Sequence, residues 1–384
     1  MIQLLYGVQQ KFRFRHNDIN ILGNSEAKLP VRKSVYRLNY ASPIHFYVEP
    51  EFDASGLKNY SYPYKTHTPS VNRLRERPGN FNIEIPVNSP QLKEGWNKIS
   101  LEIEDKKGNL EFLEADFFWD SRPITLPLEL NDLSKYEHIQ EIGQVVDGAF
   151  DFDPDKNVIK SRSPVADDSL LVLGSYHGSQ EATYEVRFRE NGRGVVFKGM
   201  SDFFASHDEQ SPGIGIKPGY STAGLATVDS GGQARAWISA GDCLMDKDWT
   251  WVVKTEVPPY LDIEAHVTYC VKHQVIMTDG INCCRYRIWK KGELEPSQWL
   301  CEEHNADLPK HLPRITKAGF GLFQYGGLPT EWSNICVRSL DVDVQSLDLG
   351  RRKNHVMKKY FSQVVRMNNK VKKKIVRKVS TLSL

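Results

Sequence analysis

Over most of the first 346 residues, apolar and polar positions alternate in short runs, separated by clusters of Gly, Pro, Asn and Asp. A period of two means strands with one face in a core and the other in water. The segment GNFNIEIPV sets Phe81, Ile83 and Ile85 against Asn82 and Glu84. The run WNKISLEIEDKKGNLEFLEADFFW predicts a hairpin in which Ile99, Leu101 and Ile103 face inward, DKKGN turns, and the chain returns through Leu110, Phe112 and Phe117. With NDINILGN, SVYRLN and PIHFYVEP, this gives about six or seven strands within residues 1–120, the density of an immunoglobulin-like sandwich.

Residues 121–140 hold two prolines and no clear period, and predict a connector lying on the next domain. Residues 141–346 return to short alternating runs, among them ATYEVRFRE, RGVVFKG, PGIGIK, ARAWISA, WTWVVKTEV, YLDIEAHVTYCV, RYRIWKKG, AGFGLFQY and SNICVRSLDVDV. So many strands without helices between them predict a two-sheet jelly roll. Residues 347–384 differ in kind. Val356, Tyr360, Val364, Met367, Val371, Ile375 and Val379 recur at helical spacing, so Arg351 to about Val379 predicts an amphipathic helix.

Charge sharpens that division. The chain of 384 residues has a net charge of +2, but residues 351–384 carry 12 Lys and Arg and no Asp or Glu. Residues 1–350 keep 38 basic and 48 acidic groups, so an acidic body bears a basic tail. Three partners fit such a tail: an anionic membrane surface, a protein partner (or a second copy), and nucleic acid. The last lacks any base-reading motif. The N-terminal apolar run is too short for a signal peptide, and no stretch approaches the roughly 18 apolar residues of a membrane-spanning helix. The expectation is a cytoplasmic protein or one peripheral to a membrane. The six cysteines match no zinc spacing and predict free thiols.

The later half resembles the concanavalin A-like lectin/glucanase superfamily, in its laminin-G-like bacterial branch. The resemblance is carried by ATYEVRF (182–188), PGIGI (212–216), VPPYLDIEAHV (257–267), YRIWKKGELEPSQW (286–299) and EWSNICVRSLDV (331–342). NDINILGN, RPGNFNIEIPV and LKEGWNKISLEIEDKKGN resemble the immunoglobulin-like modules that precede such domains. The resemblance covers roughly residues 16–346. It implies an all-β protein: an immunoglobulin-like sandwich, then a concanavalin A-like jelly roll, with the helical tail outside it. It speaks for fold more than for activity.

In the glucanases of this superfamily a strand reading E-x-D-x-E supplies two glutamates, a nucleophile and an acid/base, about 5–5.5 Å apart. Here Asp262 and Glu264 match the second and third acids, and Tyr260 stands at the first. The remaining pair would lie about 6.6 Å apart along a strand. It fits a solvated face, a ligand contact, or an inverting hydrolase or lyase. Aromatic rings stack on sugar faces, so Arg235 and Trp237, which share a face, are candidate glycan ligands together with Tyr220, Tyr325, Asp262 and Glu264. No cofactor is required. Asp151, Asp153 and Asp155, with Asp341 and Asp343, form an oxygen-rich set that a structural calcium could use, although a polar turn with Asx-type bonds explains the loop better. The leading expectation is non-catalytic recognition of a glycan or polysaccharide. The alternatives are a polysaccharide hydrolase or lyase using Asp262 and Glu264, and a structural scaffold or assembly subunit.

Overall fold

A computed structural model of the chain describes residues 1–13, 18–27, 31–49, 77–162, 169–188, 193–200, 220–227, 234–240, 264–278, 281–304, 317–324 and 330–341. The tail, 347–384, lies outside the described residues. Residues Met1–Val342 form one compact unit.

The chain begins with β1 (Gln3–Leu4), β2 (Gln9–Phe12), β3 (Asp18–Asn24), β4 (Val31–Leu38), β5 (Ile44–His45), β6 (Asn80–Pro86), β7 (Gly95–Asp105) and β8 (Leu110–Trp119). They make a three-stranded sheet, β1-β3-β6, and a five-stranded sheet, β2-β8-β7-β4-β5. The β2–β8 pairing is parallel and the others are antiparallel. Ile19, Ile21, Phe81, Ile83 and Ile85 from the first sheet meet Tyr36, Leu38, Ile99, Leu101, Ile103 and Phe117 from the second in one core. The β7–β8 turn is set locally. The Asp105 carboxylate accepts from the N–H groups of Lys107 and Asn109, and Gly108 takes φ +84.

The predicted hairpin forms as β7 and β8. Leu110 and Phe112 are 59% and 57% exposed, whereas Phe117 is buried. Positions 112 and 117 differ by an odd number, so on a continuous strand they must lie on opposite faces.

Residues 121–140 are more than a connector. They supply β9 (Leu128–Leu130), which pairs with the last strand, and Leu128, Leu130, Leu133 and Ile139 enter the second core. There follow β10 (Gly143–Asp147), β11 (Phe150–Asp153), β12 (Val158–Ser161), β13 (Ser169–His177), β14 (Gln180–Arg187), β15 (Arg193–Met200), β16 (Tyr220–Thr227), β17 (Ala234–Ala240), β18 (Thr268–Thr278), β19 (Ile281–Lys290), β20 (Cys301–His304), β21 (Lys317–Gln324) and β22 (Glu331–Ser339). A six-stranded sheet runs β10-β13-β21-β15-β16-β17, and an eight-stranded sheet runs β11-β12-β22-β14-β18-β19-β20, with β9 on β22. The chain passes between these sheets at Gly148 (φ +70), where a Cβ would sit 2.0 Å from Ser169 Oγ. Leu171, Leu173, Phe320 and Leu322 of the six-stranded sheet pack on Ala182, Tyr184, Val186, Tyr269, Val271, Tyr286, Ile288 and Trp332 of the eight-stranded one.

The two pairs of sheets are joined by specific contacts. Asn20 donates to the Val145 carbonyl at 3.1 Å, Gln140 donates to Gln10 at 2.9 Å, and Tyr6 Oη accepts from the Phe150 N–H at 2.9 Å. Leu22, on β3, belongs to the second core. Among the described residues no helix is long and apolar enough to cross a membrane.

Two predictions follow from this core. Phe320 is fully buried against Tyr184, with ring centroids 5.2 Å apart. Phe320→Ala should therefore cost about 3–5 kcal/mol, read from urea unfolding midpoints. His273 is also fully buried, edge-on to Phe320 and Tyr286, and burial pushes its imidazolium down to about 3. The unfolded chain takes up that proton near the ordinary value of about 6.5, while the folded chain does not. Stability from this group is therefore complete above the ordinary value and falls by up to about 1.4 kcal/mol per unit as pH drops through the window toward 3. His273→Leu should flatten the slope of unfolding free energy between pH 6.5 and 5. An unchanged slope would refute the assignment.

Candidate functional site

The outer face of the eight-stranded sheet carries an ordered polar surface. Along β14, Ala182, Tyr184 and Val186 point into the core, so Glu181, Thr183, Glu185 and Arg187 take the other side. Strand pairing then lines up rows across four strands. The first reads Arg338–Glu181–Gln274–Arg285, the second Cys336–Thr183–Lys272–Arg287, and the third Ser333–Glu185–Cys270–Trp289. The second and third rows stay aligned across an irregularity in β22 at Asn334, which takes φ +50.

The first row is a continuous hydrogen-bond chain. Arg338 donates from Nε at 2.9 Å and from Nη2 to Glu181 Oε1. Gln274 donates to the other oxygen of Glu181 at 2.5 Å, and Arg285 Nε donates to Gln274 Oε1 at 2.7 Å. The Glu181 side chain is only 4% exposed. Burying a carboxylate costs several kcal/mol unless it is paired and hydrogen-bonded, and this row supplies both. Beside it, Lys291 donates to Glu185 at 2.9 Å, and Arg187 pairs with Glu331 at 3.3 Å.

The connection between β19 and β20 folds onto the same face. The guanidinium carbons of Arg287 and Arg285 lie 4.1 and 4.6 Å from the centre of the half-buried Trp299 ring. Arg287 Nη1 donates to the carbonyls of Pro296 and Ser297. Glu295 joins Lys272 at 2.6 Å and Arg287 at 3.2 Å. One arginine thus fixes the loop's backbone, its acid and its aromatic ring together. The Glu-Pro-x-x-Trp segment carries part of the sequence resemblance, but nothing in its pattern alone marks it as a ligand contact. The usable signal was Arg285 and Arg287 at i and i+2 ahead of an aromatic in a short loop.

The residues singled out from sequence do not converge here. Arg235 and Trp237 lie on β17 of the other sheet. The register row Val172–Gly321–Val196–Ala223–Trp237 alternates with rows that hold Leu171, Leu322, Leu173 and Phe320 of the core. Tyr220 falls in the row of Gly199 and Ala318, and Ala318 is a core residue. Tyr325, Asp262 and Asp343 lie outside the described residues. Glu264 does not sit on a strand: residues 264–267 form a turn in which His266 takes φ +64, and β18 begins only at Thr268. The turn is held by the Glu264 N–H donating to Tyr269 Oη at 2.8 Å and the His266 N–H donating to the Phe188 carbonyl at 2.7 Å. The alternating pattern of LDIEAHV therefore breaks where a left-handed residue interrupts it. The Glu264 carboxylate is exposed and paired with Lys290 at 2.5 Å.

Two of the five candidate calcium acids already hold cations. Asp151 pairs with Arg162 at 2.6 Å and Asp153 with Lys156 at 2.8 Å, while Asp155 and Asp341 are exposed. Among the described residues no group of three or more His, Cys, Asp or Glu is placed to hold a metal ion.

The fold defines an all-β protein built of paired sheets. No family model and no curated protein matches the chain. Similar solved structures include the carbohydrate binding module CBM66 from Bacillus subtilis, at 10% identity and a TM-score of 0.32, covering 51% of this chain and 95% of that one. A legume lectin-like domain from Entamoeba histolytica aligns at 10% identity and a TM-score of 0.34, over 57% of this chain and all of the other. A xylan beta-1,4-xylosidase from Bacillus halodurans C-125 aligns at 9% identity and a TM-score of 0.37, over 88% of this chain and 64% of that one. Likenesses this distant leave function to be argued from the chain's own residues.

The loop clamp is testable. Arg287→Ala should free residues 295–299, red-shift Trp299 emission and cost about 1–3 kcal/mol. Arg287→Lys should not restore the emission, because an ammonium cannot stack as a planar guanidinium does.

Proposed function

We propose that this protein recognises glycans, without cleaving them, on the outer face of the eight-stranded sheet. The observation that carries this reading is Trp299 laid over two guanidinium groups, beside the in-register row Arg338–Glu181–Gln274–Arg285. A sugar ring presents C–H faces to an aromatic and hydroxyls to planar donors and acceptors. Both chemistries lie side by side here. Their hydrogen bonds to one another hold them rigid, which lowers the ordering cost of binding. The resemblance of the later half to lectin-like modules supports the same reading, with the second sandwich as a concanavalin A-like jelly roll and the first as its immunoglobulin-like companion. Cleavage draws no comparable support. Of the acids suggested for it, Glu264 is described, and it is an exposed turn residue tied to Lys290.

The expected outcome of a glycan-array screen is retention of at least one oligosaccharide class. Calorimetry with the best ligand should show Trp299→Ala weakening binding by about tenfold or more, the worth of a lost stacking contact. Trp237→Ala and Arg235→Ala, on the other sheet, should leave affinity unchanged. A chain that melts normally and binds no sugar would overturn the proposal.

A further inference from the structure

Resting on that reading of the face, the ion pairs indicate what kind of glycan it takes. In three of them the cation is the outer partner and the carboxylate the inner one. The Arg338 side chain is 59% exposed over Glu181 at 4%, Lys291 is 55% exposed over Glu185 at 16%, and Arg187 is 46% exposed beside Glu331 at 31%. The inner acids orient these cations by charge-assisted bonds, and the exposed donors remain available. Arg338 uses Nε and Nη2 on Glu181, and Lys291 uses one of its three N–H groups on Glu185.

The three pairs also share a line. Glu181, Glu185 and Arg187 all belong to β14 and alternate with its core residues. At about 3.3 Å per residue, the first two anchors are roughly 13 Å apart and the strip is roughly 20 Å long, a length that several linked pyranose rings would cover. Lys272 and Arg287 lie between, in the row of Thr183, and there the order is reversed: they are 19% and 15% exposed beneath Glu295 at 36%. Exposed Glu129, paired with Cys336, bounds the strip on the β9 side, and Glu295 bounds it at the Trp299 loop. Such a row of outward cations is unexpected on residues 1–350, where acids outnumber bases by 48 to 38.

We propose that the ligand is a linear anionic polysaccharide, carboxylated or sulfated, lying along β14 with its charges on Arg338, Lys291 and Arg187 and a ring against Trp299. Acidic groups would take the outer donors, and the inner carboxylates would keep those donors in place.

The test uses the full-length chain, titrated with oligogalacturonate, with dextran sulfate oligomers and with neutral dextran. One or both anionic probes should bind at least tenfold tighter than the neutral one, and affinity should fall as salt rises. Lys291→Gln and Arg338→Gln should each weaken anionic binding by about three- to tenfold, and Lys291→Arg should retain it. The basic tail is the same in every variant, so the difference reads the sheet. Lys291 is the safer site, because Arg338→Gln removes the charge partner of a buried acid. Anionic binding that both Gln variants leave intact would overturn the inference and assign that binding to the tail or another surface. Binding of neutral glycans alone, still sensitive to Trp299→Ala, would overturn the charge assignment while the glycan reading stood. Binding of no glycan of either kind would remove both.

Discussion

A strand inside a sheet has two faces, and β14 must satisfy both at once. Its inward face is apolar and builds the core with Ala182, Tyr184 and Val186. Its outward face places the Glu181 carboxylate where water scarcely reaches it. Everything around that group follows from the cost of an unpaired buried charge, several kcal/mol. Arg338 comes from β22 and Gln274 from β18, in register, because these are the two strands that flank β14. Gln274 then offers its carbonyl to Arg285, and Arg285 shares Trp299 with Arg287. A single buried acid thus organises a surface that extends across four strands and one loop.

The same two-faced logic explains how much of the molecule was legible in the sequence. Strands with clean alternation, such as Phe81–Ile83–Ile85 and Ile99–Leu101–Ile103, were readable as core because period two is a local property. Parity also separates Leu110 and Phe112 from Phe117, since alternation fixes faces only if it is followed through every residue. The Glu264 turn was hidden for a different reason. It depends on Tyr269 and Phe188 taking up backbone N–H groups, and on His266 adopting a left-handed conformation, none of which a hydrophobic pattern encodes.

The polar face was hidden for a third reason. Its rows join residues 181, 274, 285 and 338, which are distant in sequence, and only strand order brings them together. Sequence reading selected Arg235 and Trp237 because they share a face within one strand, the kind of juxtaposition a single strand can reveal. Cross-strand rows require the register of four strands. By contrast, the connector segment 121–140 became structured because Leu128 and Leu130 could pair with the edge of β22 and bury there, a tertiary gain that its lack of period did not advertise.

Stability alone gives a weak account of these ion pairs. Pairs with one exposed partner contribute little, on the order of 0–1 kcal/mol. A buried acid with its cation is often no better for folding than apolar side chains of the same volume. Arg338 on Glu181 is such a pair. What the polar version supplies, and the apolar one cannot, is direction: an inner carboxylate fixes an outer guanidinium in one orientation and leaves its remaining donors facing solvent. A surface held this way is prepared to exchange water for another set of acceptors at small ordering cost. On the proposed reading, the geometry of the face is better explained by what can be laid on it than by what it contributes to the fold beneath.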